Sequence, residues 1–232
     1  MWLLPVFGFL IAIVASLTGI GGGIFMVPVL TLLYEFIPAN AAGTSLTVIV
    51  FTAVASTLNY ARQKRIYWRT GLVLALTTVP GAYLGAWLTT LLNARDLGLI
   101  FGFFLVAVAV YIITDLSNVK RSRNQDVKSA KVSDSELVKS GKTIVMGAGL
   151  SFFGGLASGL LGIGGGLLVV PIMTFAMGMA IHFATATSMF TMMFTSVSGV
   201  VQHYQANHIK FESALLLALG GDFWRAGGRL HV

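Results

Sequence analysis

Backbone N–H groups at the start of a helix bind anions, and glycine lets that backbone come close to a ligand. The chain carries two segments suited to this. Gly19-Ile20-Gly21-Gly22-Gly23 opens an apolar run, and the same five residues return 143 positions later as Gly162-Ile163-Gly164-Gly165-Gly166. Turns at Gly21, Gly22 and Gly23 and at Gly164, Gly165 and Gly166 could point two helix starts at one compact anion. Hydroxyls follow at matched places, Thr44-Ser45 falling on Thr187-Ser188 at the same offset. Thr187, Thr191 and Thr195, four apart, share one helical face. Hydroxyls replace part of an anion's hydration shell without a fixed charge, so Thr44, Ser45, Thr187 and Ser188 are candidate substrate ligands. Asn59 and Gln202 also coincide at the offset and are candidate gates. A packing account competes at each position. Glycines allow tight helix crossing, hydroxyls bond the carbonyl four residues back, and amides cap helices at an interface. That account fits Thr52 and Thr191 best. His182, His203 and His208 sit near predicted helix ends as interface residues, His203 being the candidate for proton coupling. The methionines between Met173 and Met193 follow no ligand spacing and read as flexible packing.

The elements that position these residues belong to a membrane protein. The chain has 232 residues, 56% hydrophobic and 10% charged, against about 25% charged in a soluble domain. From Met1 to Ala61 the only charged side chain is Glu35, and from Thr143 to Ile209 there is no Asp, Glu, Lys or Arg. Each stretch holds more than one span of about 20 residues. The net charge of +7 lies in short loops between apolar runs, which indicates membrane topology and not nucleic-acid binding. The start, without a basic n-region or cleavage site, is expected to stay as a membrane element. There is no cysteine, and no His-Glu-x-x-His or paired Asp, so neither a metal site, a cofactor nor catalysis is expected. The glycine string also lacks the strand context and Gly-Lys-Ser/Thr ending of a phosphate loop.

Apolar runs are predicted near 2–14, 23–36, 41–58, 71–92, 97–113, 143–161, 166–180, 184–201 and 213–219. The first two, about 14 residues or about 21 Å of helix each, are shorter than the ~30 Å hydrocarbon core and read as a broken or re-entrant hairpin. Eight of the thirteen positions from Gly19 to Thr31 are identical in the second copy. The chain therefore divides into a first transmembrane repeat at 1–117, a basic cytoplasmic linker at 118–142, and a second repeat at 143–232. Arg62, Lys64, Arg65 and Arg69 place the loop after the third run inside, while the equivalent loop, 202–211, keeps only Lys210. Loss of positive charge at a matched loop predicts an all-α polytopic fold of two inverted repeats around glycine-broken helices, with Met1 outside.

The doubled Gly-Ile-Gly-Gly-Gly, the Val27-Pro28 and Val170-Pro171 that follow, and then Gly43-Thr44-Ser45 and Ala186-Thr187-Ser188 resemble the sulfite exporter TauE/SafE family of membrane transporters. The likeness covers nearly the whole chain to about Leu219. It implies secondary transport of small sulfur-containing or organic anions, such as sulfite or organosulfonates, and a bacterial inner membrane is the expected location. The driving ion stays unassigned: a proton is the candidate, though no carboxylate is predicted at membrane depth to relay it. The second copy departs from the first near Gly221, where Asp222, Arg225 and Arg229 replace an apolar helix. The second repeat is thus expected to be incomplete, and a truncated, non-transporting product of the same family is the alternative.

Overall fold

The computed structural model describes residues 21–116 and 141–211, with positions 7, 8, 10, 11, 213–215, 217 and 218. The expected linker up to position 140, most of the first apolar run and the tail bearing Asp222, Arg225 and Arg229 lie outside the described residues. Regular structure among the described residues is helical. Helix α1, Gly23–Pro28, starts behind Gly22, which takes φ +78°, a conformation that glycine adopts without a steric penalty. Pro28 lacks an N–H and crowds the preceding turn, and the helix widens at once into a π turn, Val29–Leu33. The Thr31 hydroxyl donates to the carbonyls of Val27 and Pro28, at 2.9 and 3.2 Å.

Helix α2, Pro38–Arg62, opens on a proline at a position that suits its fixed φ. It ends where Lys64 adopts φ +54° and the Arg65 N–H bonds the Tyr60 carbonyl. Helices α3, Trp68–Leu88, and α4, Ala94–Leu116, follow. The second copy begins with α5, Gly141–Leu161. The short helix α6, Gly166–Pro171, runs into a π turn, Ile172–Ala176, and then comes α7, Ile181–Gln205. Four helical stretches are long and apolar enough to cross a bilayer: α2, α3, α7 and residues 144–161 of α5. Side chains such as Leu76, Phe103 and Phe153 stand well exposed on these helices and α4, which suits hydrocarbon and not water. The protein is an all-α polytopic membrane protein.

The copies repeat each other in helix bounds, turn geometry and several bonds. Helices α2 and α7 share the offset of 143 at both ends. Glu35 and Gly178, and Lys64 and Asn207, pair as left-handed residues at that spacing. Thr174 repeats the double bond of Thr31, to Val170 and Pro171. Contacts between copies reciprocate as well. The Thr44 Oγ1 accepts the Lys210 N–H at 3.2 Å, and its image, Thr187 Oγ1, accepts the Tyr67 N–H at 3.1 Å. Reciprocal contacts of this kind define a two-fold axis. Thr44 lies in the N-terminal part of α2 and Lys210 just beyond α7, so the two helices run antiparallel. An axis that exchanges antiparallel spans lies across them, and the repeats have opposite orientation.

Helices α2 and α7 form the centre, with 72% and 67% of their apolar windows buried against 44% for α3 and α5. Around them, α3 and α5 cross through glycine on both sides. A Cβ at Gly85 would strike the Leu156 carbonyl, and one at Gly159 the Ala82 carbonyl. Small residues at this spacing bring membrane helices into backbone contact.

The structure corrects three details. Gln202 lies in the last turn of α7, not in a loop, because the helix continues until Asn207 reverses it. Helices α2 and α7 start at Pro38 and Ile181, ahead of the runs expected from 41 and 184, so Thr44-Ser45 and Thr187-Ser188 lie inside them. Gly141 and Lys142 belong to α5 and not to the linker.

Candidate substrate site at the paired glycine turns

Both turns are left-handed at consecutive glycines, Gly21 and Gly22 at φ +88° and +78°, Gly164 and Gly165 at +80° and +81°. Each hands over to a short helix whose N-cap has no side-chain hydrogen bond. The N–H groups of its first two residues have no intrahelical acceptor, while that of the third, Phe25 or Leu168, bonds the N-cap carbonyl. The structure brings the turns together. A Cβ at Gly23 would run into the Gly162 carbonyl and lie 2.6 Å from Ile163 Cα. Gly23 is therefore required by backbone contact between the copies, as the packing account anticipates. Gly165 differs, because a Cβ there would meet only the Ser158 side chain at 3.4 Å and the Gly154 carbonyl at 3.7 Å.

Ile49 and Met192, images of each other at the offset, fill the axis between the turns. The Met192 Sδ lies 2.8 and 3.3 Å from the Cβ positions of Gly21 and Gly164, and Ile49 Cγ2 lies 3.6 and 2.9 Å from the same two points. Beside this apolar plug, the hydroxyl of Ser158 is fully buried next to Gly165 without a hydrogen-bond partner among the described residues. Sequence reasoning missed Ser158, Ile49 and Met192. The offset alone could have paired the last two, whereas Ser158 falls on Ala15 and leaves no repeat signal.

The four candidate hydroxyls are all fully buried. Ser45 donates to the Gly162 carbonyl at 2.7 Å, tying α2 to the turn of the other copy. Ser188 donates to the Thr185 carbonyl at 2.9 Å. Thr44 and Thr187 accept the N–H groups described above and keep an O–H that no described bond uses. The Thr191 and Thr195 side chains serve packing: they bond the Gly71 carbonyl and the Thr78 hydroxyl on α3 as well as their own helix. Thr52 bonds the Ile49 carbonyl. Asn59 and Gln202 occupy equivalent backbone positions in different surroundings, Asn59 exposed and Gln202 buried with its Oε1 unpartnered among the described residues.

A cavity of about 320 Å³ lies between α1, α4 and α5, walled by residues such as Val27, Leu97, Phe101 and Leu160. Its single hydroxyl, on Thr31, is already bonded. Such a space suits hydrocarbon, so the anion-compatible groups remain those at the turns.

Opposed glycine turns on an antiparallel two-fold are the arrangement expected of a transporter. The profile of the family described as sulfite exporter TauE/SafE matches residues 4–223. The chain belongs to the TauE/SafE family. A TauE/SafE relative, the probable membrane transporter protein YunE of Bacillus subtilis, is 32% identical across 98% of this chain and 86% of its own length. A probable membrane transporter protein of Methanocaldococcus jannaschii is also 32% identical, covering 88% of this chain and 73% of itself. One from Haemophilus influenzae is 27% identical over 98% and 80%. No solved structure matches. Membership and these relatives make the chain a membrane transporter of the TauE/SafE class.

Proposed function

We propose that the protein moves a small sulfur-containing or organic anion, sulfite or an organosulfonate, by alternating access about the two-fold axis between its glycine turns. The observation that carries this reading is the meeting of two left-handed glycine turns on that axis, beside the unpartnered hydroxyl of Ser158. A compact anion is held there by N–H groups of Gly21, Gly22, Gly23, Gly164, Gly165 and Gly166. The free O–H groups of Thr44 and Thr187 complete the shell, with Ser188 beside Thr187 on α7, while Ser45 holds the second turn through the Gly162 carbonyl. Ile49 and Met192 close the axis in the present state, and their withdrawal admits the anion. Antiparallel repeats at 1–117 and 143–232 exchange conformations as the site opens from one side to the other. The basic loop at Arg62–Arg69 and the linker at 118–140 face the cytoplasm of a cell with a bacterial-type inner membrane. Asn59 then stands at the cytoplasmic gate and Gln202 at the opposite one.

Reconstituted protein should carry sulfite or sulfoacetate saturably into liposomes, and Gly165→Val should stop that flux. The branched side chain is incompatible with φ near +81° and covers the N–H groups of the turn. Fluxes equal to those of protein-free liposomes for sulfite, sulfoacetate, taurine and thiosulfate would remove the proposal.

A further inference from the structure

At the far end of α7, two imidazoles present nitrogens with nothing to bond. His203 is fully buried, and its Nε2 lies 3.0 Å from the Gly159 carbonyl. A carbonyl only accepts, so Nε2 carries the hydrogen and Nδ1 is left as a bare acceptor. That Nδ1 is buried without a partner among the described residues, and so is Nδ1 of His208, whose ring centroid lies 5.7 Å away. Two buried ring nitrogens without partners among the described residues are costly in apolar surroundings. A water between them, or a proton taken up as the rings close on each other, satisfies both.

Among the described residues, Lys210 is the one ionisable neighbour beside the pair. Helix α2 contributes Gly43 and Thr44, α5 the Gly159 carbonyl, and the loop after α7 the backbone N–H of Lys210, whose side chain is exposed. Burial lowers the pKa of His208 below the usual imidazole value. The image of this pair in the first copy is Tyr60 and Arg65, held by the same backbone bond, 3.2 Å there and 2.9 Å here. A permanent cation in one copy is thus matched by a titratable pair in the other.

We propose that His203 and His208 form the proton-loading site of this transporter, taking one proton from the aqueous face at the end of α7 and returning it to water during the cycle. The proposal rests on the transport reading above. No electrons move; the pair changes from neutral to singly positive, offsetting the charge of a monovalent anion. The link to the substrate site is steric. A Cβ on Gly43 would lie 3.1 Å from His203 Cβ and 2.9 Å from the His208 carbonyl oxygen, so the pair bears on backbone. On either side of Gly43, Ala42 touches Gly162 and Ser45 bonds its carbonyl. Charging the pair therefore displaces the part of α2 that holds the second glycine turn.

Two measurements test this. In proteoliposomes, the ratio of sulfite flux with a pH gradient to flux without one should exceed unity for the natural chain and for His182→Gln, an exposed histidine at the other end of α7. It should fall to unity for His203→Gln and for His208→Gln. A ratio of unity in the natural chain, or one that survives both substitutions, overturns the proposal. Histidine-selective nitrogen NMR in micelles needs no substrate: replacing either histidine should shift the titration of the other. Independent titration overturns the shared proton even where no flux is detected, whereas coupled titration without flux supports the pair and defeats the transport reading instead.

Discussion

Thr44 and Thr187 look alike in the sequence and do the same thing in the fold, though not what their spacing suggests first. Each accepts a backbone N–H from the other copy, 166 and 120 residues away. Valine fills nearly the same volume but leaves that N–H unpartnered, at a cost of about 1–3 kcal/mol. Thr44→Val and Thr187→Val should therefore destabilise the protein by similar amounts in thermal unfolding, since the two-fold makes their surroundings equivalent. Unequal losses, with one variant as stable as the natural chain, would deny that equivalence. Ser158→Ala should behave differently. It removes an unpartnered hydroxyl, so folding is unharmed or improved while sulfite affinity falls; unchanged affinity would place Ser158 outside the site. The offset marked Thr44 and Thr187 as special. Their roles were hidden because the partner is main chain and carries no side-chain signature, and Ser158 was hidden because it has no counterpart in the repeat.

Hydrophobic runs revealed the helices, since apolar length is what a bilayer requires. The termini were less legible. Polar residues such as Gln202 remain helical in the last turn, and reversal waits for a left-handed residue, Lys64 or Asn207. Most of the first run lies outside the described residues, while its equivalent in the second copy, the run at 143–161, is the full-length helix α5. Glycines within helices were the least legible of all, because packing against a partner decides their meaning. Gly85 lies against the Leu156 backbone, whereas no described residue comes within 4 Å of the Cβ position of Gly98 on α4. Gly85→Ala should destabilise the α3–α5 crossing by about 1–3 kcal/mol, the usual range for overpacking. Gly98→Ala should stabilise by about 0.5–1 kcal/mol through backbone entropy. Unfolding in mixed micelles by titrated denaturing detergent would read both. A Gly85→Ala variant as stable as Gly98→Ala would show that the helices do not meet through these glycines.

At the scale of the whole molecule, duplication was plain from one repeated pentapeptide, and its inversion followed from a loop that lost its positive charge. The structure reaches the same inversion by an independent route, through reciprocal hydrogen bonds that join the N-terminal part of each central helix to the loop beyond the other. The two arguments make one prediction about opposite sides of a membrane. Gln63 follows α2 and Ala206 follows α7 at matched positions, each with its N–H on the carbonyl four residues back. The chain has no cysteine, so a single cysteine at either site can be labelled without background. In intact cells, a membrane-impermeant maleimide should modify Ala206→Cys and spare Gln63→Cys until the membrane is opened. Labelling of both from the same side would leave the two-fold axis along the membrane normal. Parallel repeats would then replace the inverted ones, and with them would go the exchange of conformations on which alternating access depends.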